Sequence, residues 1–240
     1  ILSFNTSEDT HVCLKSLFTV NTKGISLDIV IVDNGSKIPF SLTDEEKKKL
    51  SIHLIRKEEN LGFTGGNNIG MRFALDQGAD YVVPLNNDTI LDKDMLVELL
   101  EVTEKSPKTG LAVPKIYFAQ GHEFHKDRYK NSELGRVFWF AGGSDDWANV
   151  KTVHRGVDEV DEGQYDKTEE TDFATGCCMF IKSEVLKKVG LFDDTFFLYF
   201  EDADLNERIK RAGYKIMYAP KAVLWHVTSA STGGSGSALQ

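Results

Sequence analysis

Carboxylate, amide and imidazole side chains stand at the ends of apolar runs in this chain of 240 residues. Asn86, Asn87 and Asp88 follow one such run, and His226 ends another. Mg²⁺ and Mn²⁺ favour oxygen ligands, and substrate phosphates often complete their coordination. Asp88 is therefore a candidate metal ligand, and the two amides are candidates for contacts with ribose or phosphate. Taken alone, the same residues could form a polar turn, and His226 could be an ordinary buried histidine.

A further apolar run, residues 196–200, is followed at once by Glu201 and Asp202. Five apolar residues in succession are unusual in an exposed loop, so we expect them to form a wall beside the acids. A carboxylate against such a wall loses solvation, which raises its pKa toward that of a working general base. The acids behind the run, Asp202 among them, are therefore candidates for a general base. The alternative is the ordinary acidity of a helix N-terminus, which needs no catalysis.

Two other segments have the composition of ligand-binding turns. Asp33 follows the β-branched run 27–32, and ligands of open α/β sheets bind beyond the carboxyl ends of strands. Segment 60–68 contains three glycines before a predicted helix, and both glycine backbone and helix N-termini suit a diphosphate. The alternatives are a turn-forming aspartate and a glycine-rich turn without function. The candidate ligand contacts of the glycine-rich segment are Asn60, Gly62, Gly66 and Asn68.

The amino-acid composition excludes several classes of protein. Apolar residues make up 41% of the chain and charged residues 27%, as in an ordinary folded domain. A net charge of −9, without basic blocks, argues against a nucleic-acid partner. No apolar run approaches the ~18 residues that span a bilayer, and the three cysteines match no zinc site. We therefore expect buried, reduced thiols in a cytoplasmic protein.

Short apolar runs alternate with amphipathic stretches, which predicts an α/β fold. We expect one domain over residues 1–228, with halves 1–114 and 115–228, and a flexible Ser/Gly-rich tail over 229–240. Periodicity fades over 115–170, which predicts an irregular excursion with a small core of Phe138, Trp139 and Trp147 and solvent-facing histidines including His154. The predicted strands are 27–32, 52–55, 81–85, 111–113 and 215–218, and the predicted helices follow Ser7, Gly66, Asp92, Ser183 and Asp202.

In this order the segments resemble glycosyltransferase family 2, and within it the rhamnosyltransferase-like members. The resemblance runs from Ile1 to about residue 231, and the ordered series is specific although each piece is short. The segments that carry it are Ser3 to Asn5, Val32 to Ser36, Asn60 to Gly70, Leu85 to Asp88, Gly176 to Met179, Gly190 to Asp193, Glu201 to Asp204 and Trp225-His226.

The resemblance implies a GT-A fold: a single nucleotide-diphospho-sugar transferase domain with a mostly parallel mixed central sheet flanked by helices. It implies inverting transfer of one sugar, from dTDP-rhamnose or a UDP-sugar, to a glycan or lipid-linked acceptor in cell-surface polysaccharide synthesis. A divalent cation, Mg²⁺ or Mn²⁺, would be held by Asp88 and His226, and Asp202 would be the general base. The implied donor-binding residues are Ser3, Asn5, Asp33, Asn60, Gly62, Gly66, Asn68, Asn86, Asn87 and Asp88.

Two features depart from the family pattern. Asn86 replaces the first acid of the usual Asp-x-Asp element, which leaves less charge for a metal, and no Gln-x-x-Arg-Trp segment of the processive synthases is present. A sugar nucleotidyltransferase is one alternative, but residues 3–9 lack the basic residue that it needs. A non-catalytic carbohydrate- or nucleotide-binding relative is the other, and the intact Asp88, Asp202 and His226 argue against it. Peripheral association with the inner face of a membrane stays open.

Overall fold

The computed structural model describes residues 1–228, so the predicted flexible tail 229–240 lies outside the described residues. Helices and strands alternate, as the sequence predicts. The helices are α1 Ser7–Leu17, α2 Asp44–Lys49, α3 Gly62–Asp76, α4 Met95–Glu104, α5 Ser183–Val189 and α6 Glu201–Arg211. The strands are β1 Leu2–Ser3, β2 Asp28–Asn34, β3 Ser51–Lys57, β4 Tyr81–Val82, β5 Thr89–Leu91, β6 Thr109–Phe118, β7 Phe138–Phe140, β8 Gly143–Asp146, β9 Lys151–His154, β10 Glu169–Glu170, β11 Phe180–Lys182 and β12 Lys215–His226.

Most strands form two connected sheets with parallel and antiparallel pairs, and β8 and β9 form a separate two-stranded hairpin. Strands β1, β2 and β3 pair in parallel, and a second sheet has the order β10-β12-β6-β11-β4. Within it, β6 and β12 are parallel, whereas β11 is antiparallel to both β4 and β6. A single parallel bridge between Leu2 and Asn86 joins the two sheets. The carboxyl ends of β1 and β2 therefore lie beside the Asn86 to Asp88 turn.

Strand β12 continues well past its predicted end at Tyr218. Its pairing with β6 shifts register between Ala219 and Val223 and then resumes as far as His226. Pro220 lies at this interruption and has no N–H to donate to the ladder, which explains why the sequence pattern breaks there. Strand β6 likewise extends to Phe118 rather than ending at Val113. The two long strands carry His226 to the same edge as Asp88.

Helices cover the sheets through the apolar faces that their spacing predicts. Cys13 and Leu14 of α1 and Met95 and Leu99 of α4 are fully buried. Helix α3 packs on β2, and α4 packs on β6 and β12. All three cysteines are free and buried, as expected. Within residues 1–228, no helix has both the length and the apolar character needed to cross a bilayer.

The excursion is more ordered than predicted, because it contains β7, β10 and the β8–β9 hairpin. Phe138 is fully buried, but Trp147 is 60% exposed, so its assignment to the small core was wrong. His154 does not face solvent. It is half-buried among aromatic rings, with the Trp139 centroid at 4.6 Å, and burial lowers its pKa to about 4.

The glycine-rich segment lies inside α3 rather than before it, since the helix begins at Gly62. A Cβ added at Gly66 would lie 2.3 Å from the Leu2 side chain and 3.1 Å from the Asn34 amide nitrogen. The absence of a side chain therefore lets α3 approach the ends of β1 and β2 closely.

Gly35 permits a second close approach, between the turn after β2 and the backbone of Glu59. An experiment can separate this packing effect from the effect of the positive φ of Gly35. Gly35 (φ +81°) and Gly78 (φ +79°) share a left-handed backbone, but only at Gly35 would a Cβ meet the chain, 2.6 Å from the Glu59 carbonyl carbon. We expect Gly78→Ala to lower the free energy of unfolding by about 1–2 kcal/mol. Gly35→Ala should lower it by a further ~1–3 kcal/mol. Urea unfolding measures both, and equal losses would contradict the packing role of Gly35.

Candidate active site

Asp88 and His226 meet although 138 residues separate them in the chain. His226 Nε2 lies 3.1 Å from Asp88 Oδ1, and both residues are more than nine-tenths buried. The backbone fixes the contact, because Val227 N–H donates to the Asp88 carbonyl at 2.8 Å. Burial alone would raise the pKa of Asp88, but the neighbouring imidazole outweighs it and holds the pKa below its ordinary value. The pair is an anionic oxygen beside an aromatic nitrogen.

This donor set suits a divalent cation that a phosphate completes. His226 Nδ1 is buried without a hydrogen-bond partner. Within residues 1–228, no cluster of three or more His, Cys, Asp or Glu side chains is arranged to hold a metal by protein ligands alone. Two protein ligands leave coordination positions for water and diphosphate oxygens, which is how Mg²⁺ is commonly held. The chemistry of the two side chains therefore fits Mg²⁺ or Mn²⁺ only together with a substrate.

Asp33 anchors the turn that follows β2. It is 1% exposed. Its carboxylate accepts the Ser36 N–H at 3.1 Å and the Phe40 N–H at 2.8 Å, and it forms an ion pair with Arg56 at 2.8 Å. Burial alone would raise the pKa of Asp33, but the bonds from Ser36, Phe40 and Arg56 lower it. Asp33 is therefore ionised and fixed at the predicted ligand-facing edge.

Asn34 is a site residue that the sequence pattern did not single out. Its side-chain amide donates to Asn60 Oδ1 and to the Gly62 carbonyl, each at 2.9 Å, and its oxygen accepts the Leu61 N–H at 3.1 Å. Asn60 Oδ1 also accepts the Gly62 N–H at 2.9 Å. Asn34 therefore fastens the glycine-rich segment to the end of β2. The only signal in the sequence was its place after Asp33.

The amides of the 86–88 turn contact the start of α1. Asn87 Nδ2 donates to Thr6 Oγ1 at 2.6 Å and to Thr10 Oγ1 at 2.8 Å. The hydroxyl groups of Thr10 and Ser3 are 2.9 Å apart. Asn5, with φ +57°, accepts the Lys37 N–H at 2.8 Å. Four predicted donor-binding residues thus gather at one sheet edge: Ser3, Asn5, Asp33 and Asn87.

Asn68 lies apart from this group and binds a different segment. It is 1% exposed, and its amide nitrogen donates to the Phe192 carbonyl at 2.9 Å and to Asp194 Oδ1 at 2.7 Å. Its oxygen accepts the Phe192 N–H at 3.1 Å. These bonds attach α3 to the segment that leads into α6. Donor contact by Asn68 and Gly66 stays a prediction, because both have packing roles here.

Asp202 occupies the first turn of α6. Its Oδ2 accepts the Gly176 N–H at 2.9 Å, and its Oδ1 accepts the Ala203 N–H at 2.8 Å. Burial raises the pKa of Asp202, and the charge of Asp145 adds to the rise, although the backbone bonds oppose it. Glu201 is 4% exposed, and its Oε2 is buried without a partner. Burial, and then the charge of Asp202, raise the pKa of Glu201 to about 7.

The segment Gly176–Cys178 connects the two acidic centres. Gly176 donates to Asp202, whereas the neighbouring Cys177 carbonyl accepts the Asn86 N–H at 2.9 Å. Cys178 bridges Leu85 in antiparallel fashion. The Asp202 carboxylate and the turn that carries Asp88 therefore lie on either side of one short stretch of backbone. Asp88 and His226 are in direct contact, and Asp202 is linked to the turn of Asp88 through Gly176 and Cys177. The roles predicted for the three residues stay predictions.

The apolar run 196–200 does not form the buried wall that we expected. Phe197 is 60% exposed and Phe200 is 51% exposed. Asp202 Oδ2 and the Phe63 ring both lie beside Gly176, since a Cβ added there would be 3.5 Å from each. A cavity of about 550 Å³ lies elsewhere, lined by apolar side chains including Met71, and excludes the predicted catalytic and metal-binding residues.

Comparison with known proteins places this geometry in a family. Residues 1–238 match the family described as "Glycosyltransferase like family 2". The chain belongs to this family. A family 2 relative, the low-salt glycan biosynthesis hexosyltransferase of Haloferax volcanii, is 26% identical over 90% of this chain, which spans 62% of that protein. The N-acetylglucosaminyl-diphospho-decaprenol L-rhamnosyltransferase of Mycobacterium tuberculosis is 24% identical over 92% of the chain and 72% of its own length.

A solved structure shows the same fold. GalNAc-T7, crystallised with UDP, GalNAc and Mn²⁺, superposes with a TM-score of 0.70 at 16% identity, over 98% of this chain and 43% of that one. The likeness confirms the GT-A fold, with mixed sheets flanked by helices.

The unpartnered Glu201 carboxyl predicts an unusual pH dependence of stability. Its folded pKa of about 7 exceeds the ordinary 4.5, so the folded state binds the proton more tightly. The wild type should therefore lose stability as pH rises through that interval. Glu201→Gln removes this titration. Between pH 4 and pH 8 the unfolding free energy of the variant should therefore rise relative to that of the wild type by about 2–4 kcal/mol.

Urea unfolding across this pH range measures the effect, with Glu45→Gln as the control. Glu45 is exposed, and its bond to Lys49 lowers its pKa, so its replacement should show no gain with rising pH. A pH-independent difference between wild type and Glu201→Gln would show that Glu201 ionises normally.

Proposed function

We propose that this chain is an inverting, metal-dependent glycosyltransferase domain that moves one sugar from a nucleotide-diphosphate donor to a hydroxyl group. The observation that carries the proposal is that Asp88 contacts His226, while Asp202 is linked through Gly176 and Cys177 to the turn that carries Asp88. The separation of these residues in the chain makes their convergence specific. Membership in family 2 supports the same reaction class.

The nucleotide half of the donor would bind at the carboxyl ends of β1 and β2. Asp33 is ionised there, but it is 1% exposed and both of its oxygens already accept hydrogen bonds, so it would hold the turn after β2 in the shape that receives a base or ribose. Asn34 and Asn60 hold the start of α3 in place. The Gly62 and Phe63 N–H groups already bond to Asn60 and Phe197, so it is the positive end of the helix dipole that would favour an anion there. The half-buried Asn86 and the neighbouring Asn87 would contact the ribose or the phosphates.

Asp88 and His226 are the residues that would hold a divalent cation. When bound, the cation supplies positive charge that neutralises the departing diphosphate. This turn contains a single carboxylate, because Asn86 stands where a second acid would be. The donor phosphates would therefore have to supply further ligands to the cation. The Mn²⁺ in the GalNAc-T7 structure supports this choice of ion.

Asp202 would act as the general base. Its pKa is raised mainly by burial, which increases its affinity for the proton of an acceptor hydroxyl. As the acceptor oxygen forms its bond to the anomeric carbon, the proton passes to Asp202 and the bond from that carbon to the diphosphate breaks. One displacement of this kind inverts the anomeric centre and needs no covalent enzyme intermediate.

The donor and acceptor classes are part of the same proposal. We expect dTDP-rhamnose or a UDP-sugar as donor and a glycan or lipid-linked sugar as acceptor, in cell-surface polysaccharide synthesis. A hexosyltransferase and a rhamnosyltransferase among the relatives support transfer of a sugar of this kind. Such an acceptor is consistent with action in the cytoplasm at the inner face of a membrane.

Asp202→Asn tests the base. The substitution keeps the size of the side chain but removes its basicity, so transfer should fall by about 100- to 10,000-fold while donor affinity changes little. The control is Glu207→Gln on the same helix, where the carboxylate forms ion pairs with Lys210 and Arg211, and it should retain transfer. Nucleoside diphosphate release and donor titration measure both properties. Unchanged turnover in Asp202→Asn would remove Asp202 from its role.

Asp88→Ala and His226→Ala test the metal site. A thermal-shift screen of UDP, TDP and GDP sugars with Mn²⁺ first identifies the nucleotide. Either variant should then weaken Mn²⁺-dependent binding of that nucleotide by at least about tenfold, whereas His125→Ala, at an exposed histidine beside Asp158, should not. Wild-type metal dependence in both site variants would refute the assignment.

A further inference from the structure

The most exposed apolar feature near the site is the aromatic loop, residues 196–200. Four of its residues are large and exposed: Phe197 at 60%, Leu198 at 37%, Tyr199 at 43% and Phe200 at 51%. Contiguous exposed apolar surface marks an interaction site more often than scattered single residues do. The loop ends one residue before Glu201 and two before Asp202. Whatever covers it therefore lies beside the acids.

The backbone of the aromatic loop is strained. Tyr199 has φ +71° and Phe200 has φ +69°, in the left-handed region that costs about 1–2 kcal/mol per residue with a Cβ. Bulky residues rarely adopt it twice in succession. Such strain persists where the surrounding structure fixes the chain, and it concentrates at functional sites.

The start of α3 holds the loop in this exposed position. Phe63 N–H donates to the Phe197 carbonyl at 2.8 Å. Gly62, at φ +74°, has no room for a side chain, since a Cβ would lie 2.4 Å from the Phe197 oxygen. The Phe63 ring also borders the position beside Gly176 that Asp202 Oδ2 faces. The aromatic loop and the catalytic carboxylate therefore share Phe63 as a neighbour.

The charges around the loop restrict what can cover it. Residues 191–207 include six acids, of which Asp194, Asp204 and Glu207 pair with basic side chains outside this range. The other three acids leave an excess of negative charge here. Anionic bilayers recruit surfaces rich in Lys and Arg, so this region disfavours an anionic ligand. An uncharged sugar ring has an apolar C–H face that can lie on an aromatic ring, and hydroxyl groups that donate to carboxylates. Both of its surfaces are complementary to this region.

We propose that the aromatic loop is the platform on which an uncharged sugar of the acceptor stacks, with one of its hydroxyl groups directed at Asp202. This assignment rests on the proposed function and specifies its acceptor as a neutral sugar. Tyr199 and Phe200 provide the stacking surface, and the Phe197 carbonyl anchors the loop to the Phe63 N–H at the start of α3.

Asparagine substitutions separate binding from stability. Asparagine tolerates the left-handed region better than aromatic residues do, so Tyr199→Asn and Phe200→Asn should keep or raise the melting temperature while removing the rings. Val150→Asn is the matched control. Val150 has φ +52° and is 69% exposed in the turn between β8 and β9, so the same change relieves similar strain away from the loop.

Saturation-transfer NMR measures binding without requiring transfer. The probes are methyl β-glucoside, methyl β-N-acetylglucosaminide and the anionic methyl β-glucuronide, each with UDP and Mn²⁺ present. We expect the wild type and Val150→Asn to bind a neutral glycoside through its C–H face in preference to the glucuronide. Combining Tyr199→Asn and Phe200→Asn should weaken that binding by roughly tenfold, from the loss of two aromatic contacts.

Three results would contradict the platform: the wild type binds no glycoside, it prefers the glucuronide, or the double variant binds the neutral glycoside as well as the wild type does. If the wild type sediments with phosphatidylcholine or phosphatidylglycerol vesicles and the double variant does not, the loop contacts a membrane instead. If the wild type forms a concentration-dependent dimer and the double variant does not, the loop contacts a second copy of the chain. Glycoside binding without any sugar transfer would refute only the proposed reaction. Transfer with an unchanged acceptor KM in the double variant would refute only the platform.

Discussion

The register of β12 against β6 is the constraint on which the site depends. His226 reaches Asp88 because the ladder resumes after Pro220 and because β5, which follows Asp88, pairs with the same end of β12. A slip by one residue would turn the imidazole to the other face of the sheet. Buried side chains on both strands, including Leu111, Ile116, Ile216 and Leu224, oppose such a slip. The geometry of the proposed metal site is therefore set by packing far from any ligand.

The site also depends on the shielding of its acidic side chains from water. Asp202 and Glu201 both have raised pKa values, and burial is the largest cause for each. Asp33 and Asp88 are also buried, yet their pKa values are lowered by close donors. Similar carboxylates thus have opposite proton affinities at neighbouring positions. This contrast suits a site in which two acids stay ionised for binding and a third accepts a proton.

The sequence predicted the α/β class and most elements, because apolar periodicity is a local property that burial on a sheet imposes. It placed the end of β12 too early, because proline interrupts a strand pattern even where tertiary pairing resumes. Convergence of Asp88, Asp202 and His226 was predicted through family resemblance, since nothing local brings residues 138 positions apart together. Asn34 was missed because its role is defined by partners such as Asn60 that only folding brings close. The aromatic loop was misjudged, because an apolar run indicates burial unless a ligand or partner is considered.

The seam between the two sheets has a mechanical consequence. Strands β2 and β3 are joined along seven residue pairs, whereas, among residues 1–228, one backbone bridge, Leu2 to Asn86, links β1 to the second sheet. A seam with so few hydrogen bonds resists shear less than a full ladder does. Small rotations of the first three strands would widen or narrow the gap between Asp33 and Asp88 while each sheet stayed internally rigid. The junction between the two sheets is thus the part of the fold that deforms most easily, and the proposed donor would bind across it.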